Sequence, residues 1–526
     1  MLASALQPAK KLIPPTDELP SNYADRLGQM YAEGMSEVSK KERGQFFTPT
    51  SIARFMGRLA EVENSEIRIL DPGCGTGVLS CAVAEWLAAS GRVKQIVLTG
   101  YETDSDLVPL SEEALSYLKS WLWDRDIELA YTLVPMDFVL DNQDALKPHG
   151  LFESERPDYD LVITNPPYFK LSGDDPRALA GAHVVNGHAN IYSIFLAIAA
   201  SQLRDDGQMI FITPRSFSSG SYFSAFREYF FGHMQVTRVH LFHSRKEAFG
   251  RDSVLQETVI LNCRKREESS NDRLLLVSSS KGASDLDVPE VLTTTASTIL
   301  NRSSKEKVLY LPTSHEELRI VELFQGWKHT LSDFGIQIST GPVVAFRARQ
   351  FIRESVSEDS CPLFWLHNVK PMTLEWPIMK EGKGQHIRVN RESASLLLPN
   401  RSYVLLRRFS SKDDRRRLIA APYFGQTAHV DFIGVENKVN YIYRPHGHLC
   451  RSEVVGLCAL LNSNLFDRFF RIFNGNVNVS ATELRMMPMP PLASIEKIGE
   501  AIMRSNDFSP QFADDLVQRD LGVPNE

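Results

Sequence analysis

Asn165-Pro166-Pro167-Tyr168 stands directly after the apolar run Leu161-Val162-Ile163-Thr164. The tetrapeptide is therefore expected at the carboxyl end of a strand, where ligands bind in open α/β sheets. Two prolines remove two backbone donors and restrict φ, leaving carbonyl acceptors at fixed positions. That polarity suits an amine. An exocyclic amine such as that of adenine is a poor nucleophile while its lone pair is delocalised into the ring, so acceptors that draw its hydrogens out of conjugation promote attack. The side-chain oxygen of Asn165 and the carbonyl of Pro166 are candidate acceptors, and Tyr168 offers a flat face for a base removed from its duplex. A core tyrosine after a turn is the plain alternative. No Pro-Cys pair ends a corresponding strand, so a covalent thiolate route has no candidate nucleophile.

A second constellation lies upstream. In Ile69-Leu70-Asp71-Pro72-Gly73-Cys74-Gly75-Thr76-Gly77 the three glycines follow an apolar run and precede a helical pattern from Val78 to Leu87. They let the chain turn tightly and approach a ligand closely. Such a loop by itself is also a common structural turn, with a dinucleotide site as the usual functional rival. Glu102 ends the next strand, where a carboxylate can accept hydrogen bonds from both hydroxyls of a ribose. An ordinary solvated acid at a strand end is the alternative. The loop carries no Lys-Ser/Thr pair, which excludes a P-loop, and its form differs from the dinucleotide fingerprint. S-adenosylmethionine, which has no phosphate, fits better.

These groups must be positioned by an alternation of strands and helices from about residue 66 to 263, the pattern of a mainly parallel sheet covered by helices. Strands are expected at Ile67 to Asp71, Gln95 to Glu102, Tyr159 to Thr164, Gln208 to Thr213, Val236 to Phe242 and Glu257 to Cys263, with a helix from about Ile191 to Leu203. No strand is clear around Leu133 to Met136, and the last two strands read as an antiparallel pair at the sheet edge. A polar stretch over residues 264 to 305, in which Leu274 to Val277 could still form a short strand, marks a boundary. The division is residues 1–43, an N-terminal helical segment; 44–265, the catalytic domain; 266–330, a linker; and 331–526, a loop-rich α+β domain. At 526 residues and 43% hydrophobic content the chain can bury several cores.

The formal charge of −7 gives no global sign of nucleic-acid binding, so any such contact must be local. Six scattered cysteines without a CxxC pair suggest neither zinc nor disulfides, and no metal site is expected. Without a signal-peptide pattern or a long apolar run, the chain reads as cytoplasmic, with no membrane association.

Gly44-Gln45-Phe46-Phe47-Thr48-Pro49, the loop from Asp71 to Gly77, Glu102, Asp137-Phe138 and Asn165 to Tyr168 together resemble, in this order, the gamma-class N6-adenine DNA methyltransferases of the TaqI-like and PstI/BsuBI-like kind. The resemblance implies a class I methyltransferase fold, a Rossmann-like mixed seven-stranded sheet, followed by a C-terminal α+β target-recognition domain. It implies that Phe47, Thr48 and Pro49 close over the methionine end of S-adenosylmethionine, beside Asp71, Gly73, Gly75 and Gly77. Glu102 would then hold the ribose, and Asp137 with Phe138 the cofactor adenine. An aromatic residue on a late hairpin would sandwich the flipped base against Tyr168; Phe249 is the candidate, with core packing as its alternative. The family acts as a monomer on double-stranded DNA. Cleavage, where a system has it, is expected of a separate restriction endonuclease, because 43 residues before Gly44 cannot hold a nuclease domain.

In the C-terminal half, Ser339 to Val344 with Arg347 and Arg349, and Asn474 to Arg485, resemble the target-recognition domain. Arg401, Arg407, Arg408, Lys412, Arg415, Arg416 and Arg417 crowd a short stretch able to hold a phosphate backbone, unless it is a solvated charged loop. The DNA-contact candidates are Arg347, Arg407, Arg408, Asn476, Asn478 and Arg485, although asparagines in such a turn often serve the backbone itself. Direct transfer from sulfonium to amine, without metal or covalent intermediate, is the expected chemistry. N4-cytosine and protein-glutamine methylation use similar acceptors and stay open as alternatives; the first more often carries Ser in place of Asn165, and the second occurs in much shorter chains. A non-catalytic specificity subunit would not be expected to keep cofactor loop, ribose acid and amine motif together.

Overall fold

A computed structural model describes residues 14–15, 17–34, 47–61, 63–147, 158–185, 187, 190–242, 257–266, 273–300, 306–410, 414–425, 430–474 and 478–522. The chain divides into two compact units, Met1–Phe217 with Tyr222–Lys307, and Ser218–Ser221 with Val308–Glu526.

The first unit is built on a sheet of strands β1 (Glu66–Asp71), β2 (Gln95–Tyr101), β3 (Glu128–Val134), β4 (Tyr159–Thr164), β5 (Leu203–Pro214), β6 (Met234–Phe242), β7 (Thr258–Lys265), β8 (Leu274–Ser280) and β9 (Glu290–Thr295). Their spatial order is β3-β2-β1-β4-β5-β7-β6-β8-β9. The first five run parallel, and β7 lies antiparallel between β5 and β6. This is the class I methyltransferase order, with two differences from the expected seven strands. The polar stretch read as linker contributes β8, parallel to β6, and β9, antiparallel to β8. The antiparallel β6–β7 pair is consequently interior. β8 is exposed at Leu274 but buried at Leu275, Val277, Ser279 and Ser280. Its serines hid an alternation that its burial makes plain; Ser278 and Ser280 bond the two ring nitrogens of buried His240 on β6.

β4 is buried at every residue, as a central parallel strand covered on both faces should be. The helix Ile191–Ser201, which packs against β5, is buried along nearly its whole length. β3 is half-exposed at the sheet edge, which explains why its apolar pattern is weak. The helix Pro20–Glu33, from the segment read as separate, buries Tyr23, Ala24 and Leu27 in the same core as Ile52, Met56 and the helix Val78–Ala89.

The second unit is α+β. A four-stranded antiparallel sheet orders Gln337–Thr340, Val439–Tyr443, Tyr403–Arg407 and Ala420–Tyr423. A five-stranded sheet accompanies it, and the helices Arg451–Asn462, Asn464–Phe473, Leu492–Ser505 and Pro510–Leu521 share the larger core. No helix among the described residues is long and apolar enough to cross a membrane.

Candidate active site

A cavity of about 560 Å³ opens where β1, β2, β3 and β4 end, a size suited to a small organic ligand. Each strand delivers one part of its wall: Gly73 and Gly75 after β1, Glu102 after β2, Asp137 and Phe138 after β3, and Asn165 and Pro166 after β4. Phe47 closes it from the N-terminal side.

The glycine loop needs its glycines. Gly75 and Gly77 have φ of +54° and +83°, left-handed values that other residues adopt at a cost. Gly77 starts the helix Val78–Ala89 and faces Leu115, so its role is to turn the chain. The Gly75 N–H donates to Glu102 Oε2 at 3.1 Å and the Asp104 N–H to Oε1 at 2.8 Å, so the acid is locked against the loop. Glu102 is 9% exposed, and burial raises its pKa against those N–H donors. Asp71 stands behind the loop, fully buried; Ser80 donates to Oδ2 at 2.7 Å, and Oδ1 has no hydrogen-bond partner among the described residues. Burial pushes its pKa up to about 7. Asp71 therefore supports the loop and does not form the wall.

The Asn165 carboxamide is held at both ends. Its oxygen accepts from the Tyr168 hydroxyl, which also lies 3.0 Å from the Ile212 carbonyl. Its nitrogen donates to the Thr48 hydroxyl at 3.0 Å. In this arrangement the oxygen faces Tyr168 and the nitrogen faces Thr48, and a carbonyl oxygen has a second lone pair to offer. Thr48, 6% exposed, thus reaches the catalytic loop and not only a cofactor wall. The Tyr168 ring meets Tyr192 edge-on at 6.2 Å, and burial raises its hydroxyl pKa far above the ordinary value. Pro49 begins the helix Thr50–Arg58.

Beyond β3 the chain reaches Asp137. That residue caps the short helix Phe138–Asp141, its Oδ1 accepting from the N–H groups of Val139 and Leu140 at 2.9 and 3.1 Å. Phe138 is 2% exposed, between Tyr101 and Phe195 at ring distances of 5.1 and 4.8 Å. The sequence reading missed Arg177, whose Nη1 lies 3.6 Å from Asp137 Oδ2 while Asp175 holds its other nitrogens. Asp175-Pro176 is a legible helix start, but only the fold brings that turn to the cavity. The described walls carry the carboxylates of Glu102, Asp104 and Asp137 against the single guanidinium of Arg177. That balance suits a cationic ligand without phosphate, so S-adenosylmethionine, a sulfonium with an ammonium group, fits the residues present.

Gly44, Gln45, Phe46, Phe249 and Asn476 lie outside the described residues. In the second unit, Arg347 and Arg485 are exposed, and Arg407, Arg408 and Asn478 are half-buried. Arg407 Nε donates to the Val369 carbonyl at 2.7 Å, Arg408 Nη1 to the Asn437 carbonyl at 3.1 Å and Arg485 Nη2 to the Ile338 carbonyl at 2.7 Å, so each guanidinium is anchored at one nitrogen. Arg417 is 1% exposed. Gly341 admits its own chain, not DNA: a Cβ there would lie 2.2 Å from the Glu436 carbonyl oxygen.

Residues 117–249 match the family described as Eco57I restriction-modification methylase. Type II methyltransferase M.PstI of Providencia stuartii is 31% identical over 497 residues, covering 94% of this chain and 96% of that protein. Type II methyltransferase M.BsuBI of Bacillus subtilis is 33% identical, covering 89% and 91%. Among solved structures, the type IIG restriction endonuclease BpuSI aligns with 92% of this chain and 63% of its own at 13% identity and a TM-score of 0.46. With such identity to M.PstI and M.BsuBI over nearly the whole of each, the chain belongs to the type II methyltransferases, the S-adenosylmethionine-dependent DNA methyltransferases of restriction-modification systems.

Proposed function

We propose that this chain methylates N6 of adenine within a short sequence of double-stranded DNA, with the target base turned out of the helix. The observation that carries the reading is the Asn165 carboxamide, held between Thr48 and Tyr168 with its oxygen on the Tyr168 side, in the lining of a cavity of acidic wall. Bound S-adenosylmethionine supplies the electrophilic methyl group.

Glu102 accepts the ribose hydroxyls, Asp137 and Phe138 hold the cofactor adenine, and Gly73 and Gly75 let the backbone approach it. Phe47 and Pro49 close the methionine end. Asn165 Oδ1 and the Pro166 carbonyl accept the two hydrogens of the target amine, which frees its lone pair for attack. Neither oxygen is a base at neutral pH, so the proton shed after transfer passes to water. Tyr168 stacks on the base. Extrusion is required by reach, since a base inside the duplex does not expose its amine to such a pocket.

Arg347, Arg408 and Asn478 contact the duplex. The protein works as a monomer in the cytoplasm, and cleavage belongs to a separate endonuclease. The test is expression in a methylation-free host, digestion of its DNA to nucleosides and sequencing of the modified sites. N6-methyladenine at one short motif is expected; N4-methylcytosine, or no modified base from a protein that binds the cofactor, overturns the reading.

A further inference from the structure

Three loops and one turn of the second unit meet at a single end of its four-stranded sheet. The Gly341 N–H donates to the Val439 carbonyl and the Asn437 N–H to the Val343 carbonyl, both at 2.8 Å, joining the loop after Gln337–Thr340 to the turn before Val439–Tyr443. The Arg408 N–H donates to the Lys438 carbonyl at 2.9 Å, and the Val479 N–H to the Arg408 carbonyl at 2.8 Å. Phe409 and Asn478 form a β-bridge there. The loops are thus cross-linked by backbone hydrogen bonds, which makes this end a defined surface.

Two large apolar rings stand out on it. Phe346 is 77% exposed and Phe409 42%. Each has its own cation: Arg347 lies 5.3 Å from the Phe346 ring, Arg408 5.7 Å and Lys438 6.0 Å from that of Phe409. The segments 341–350, 408–410, 436–438 and 478–480 carry Arg347, Arg349, Arg408 and Lys438 against one acid, Glu436. That acid is 2% exposed, its carboxylate turned to the Leu366 N–H at 3.0 Å and to Lys383. The surface therefore presents positive charge interleaved with aromatic faces, on a chain whose net charge is negative.

We propose that this end is where the duplex is read, with Phe409 and Phe346 packing against base steps while Arg347, Arg408 and Lys438 hold the flanking phosphates. Cations alone would give salt-sensitive, sequence-blind binding, whereas an aromatic face adds contact with bases and favours steps that unstack easily. The inference rests on the reading of the chain as a DNA methyltransferase and adds which side chains touch the duplex, including three that the sequence did not mark: Phe346, Phe409 and Lys438.

The experiment is equilibrium binding of the full chain to a duplex carrying its methylated motif and to one with that motif scrambled, across a salt series. Phe409→Ala is expected to lower the preference for the motif about 10-fold or more while leaving the salt slope unchanged. Lys438→Ala is expected to weaken both duplexes alike and to reduce the slope by about one. Unchanged preference in Phe409→Ala together with an unchanged slope in Lys438→Ala overturns the proposal, provided S-adenosylmethionine affinity shows the variants folded. Failure of the unaltered protein to bind either duplex would instead overturn the DNA reading on which the proposal rests.

Discussion

Thr48→Val separates two roles that one residue can play. Valine keeps the volume of threonine at a site 6% exposed, so packing changes little, but it removes the hydroxyl that accepts from Asn165 Nδ2 at 3.0 Å. A net hydrogen bond is worth about 0.5–1.5 kcal/mol. If the bond serves to hold the carboxamide for catalysis, that energy appears in the barrier, and turnover falls by roughly 2- to 13-fold. S-adenosylmethionine affinity should stay within about twofold, because a loss confined to the transition state leaves ground-state binding alone. Thr48→Ser keeps the hydroxyl and should recover most of the rate. The assay is single-turnover transfer of labelled methyl to duplex DNA, with cofactor affinity from calorimetry. A tenfold weaker cofactor affinity with turnover unchanged would refute the reasoning and return Thr48 to the cofactor wall.

Asn165→Ala should lower turnover by roughly 100-fold or more while cofactor affinity holds; equal loss of both in the same assays would mean that its role is misassigned. Glu102→Gln should weaken S-adenosylmethionine binding by roughly 10- to 100-fold in calorimetry, since bonds to a charged acceptor are worth about 1.5–3 kcal/mol, and a change under twofold would count against the ribose assignment. Burial raises the Asp71 pKa to about 7, so the folded protein binds a proton that the unfolded chain releases above the ordinary aspartate range. The stability linked to that proton is full below about pH 4 and is lost as pH rises through about 7. Asp71→Asn should therefore gain in melting temperature relative to the unaltered chain between pH 5 and pH 8 without cofactor, and parallel curves would contradict the shift.

Much of the site was legible because its chemistry is local. Asn165 to Tyr168 follows an apolar strand with no intervening residue, and the glycine loop sits between β1 and its helix, so both declare their place by sequence neighbours alone. Strand β3 was missed because an edge strand buries only part of one face. β8 was read as no more than a short strand from Leu274 to Val277 inside a linker, and β9 as linker, because serine and threonine give no hydrophobic period, although the fold buries several of them.

The amino-acid order by itself determined the alternating α/β architecture, the identity of the loops at the strand ends and the polarity of the amine-binding motif, since each follows from periodicity, proline and glycine within a few residues. Tertiary structure decided what depends on distant partners. It put Thr48 against Asn165 across 117 positions of chain and brought Arg177 to Asp137. It gave Arg407 and Arg485 each a backbone carbonyl partner and set Phe409 beside two cations at the end of a sheet. A guanidinium or a ring has the same sequence signature in either setting; only packing fixes which of its neighbours reach it first.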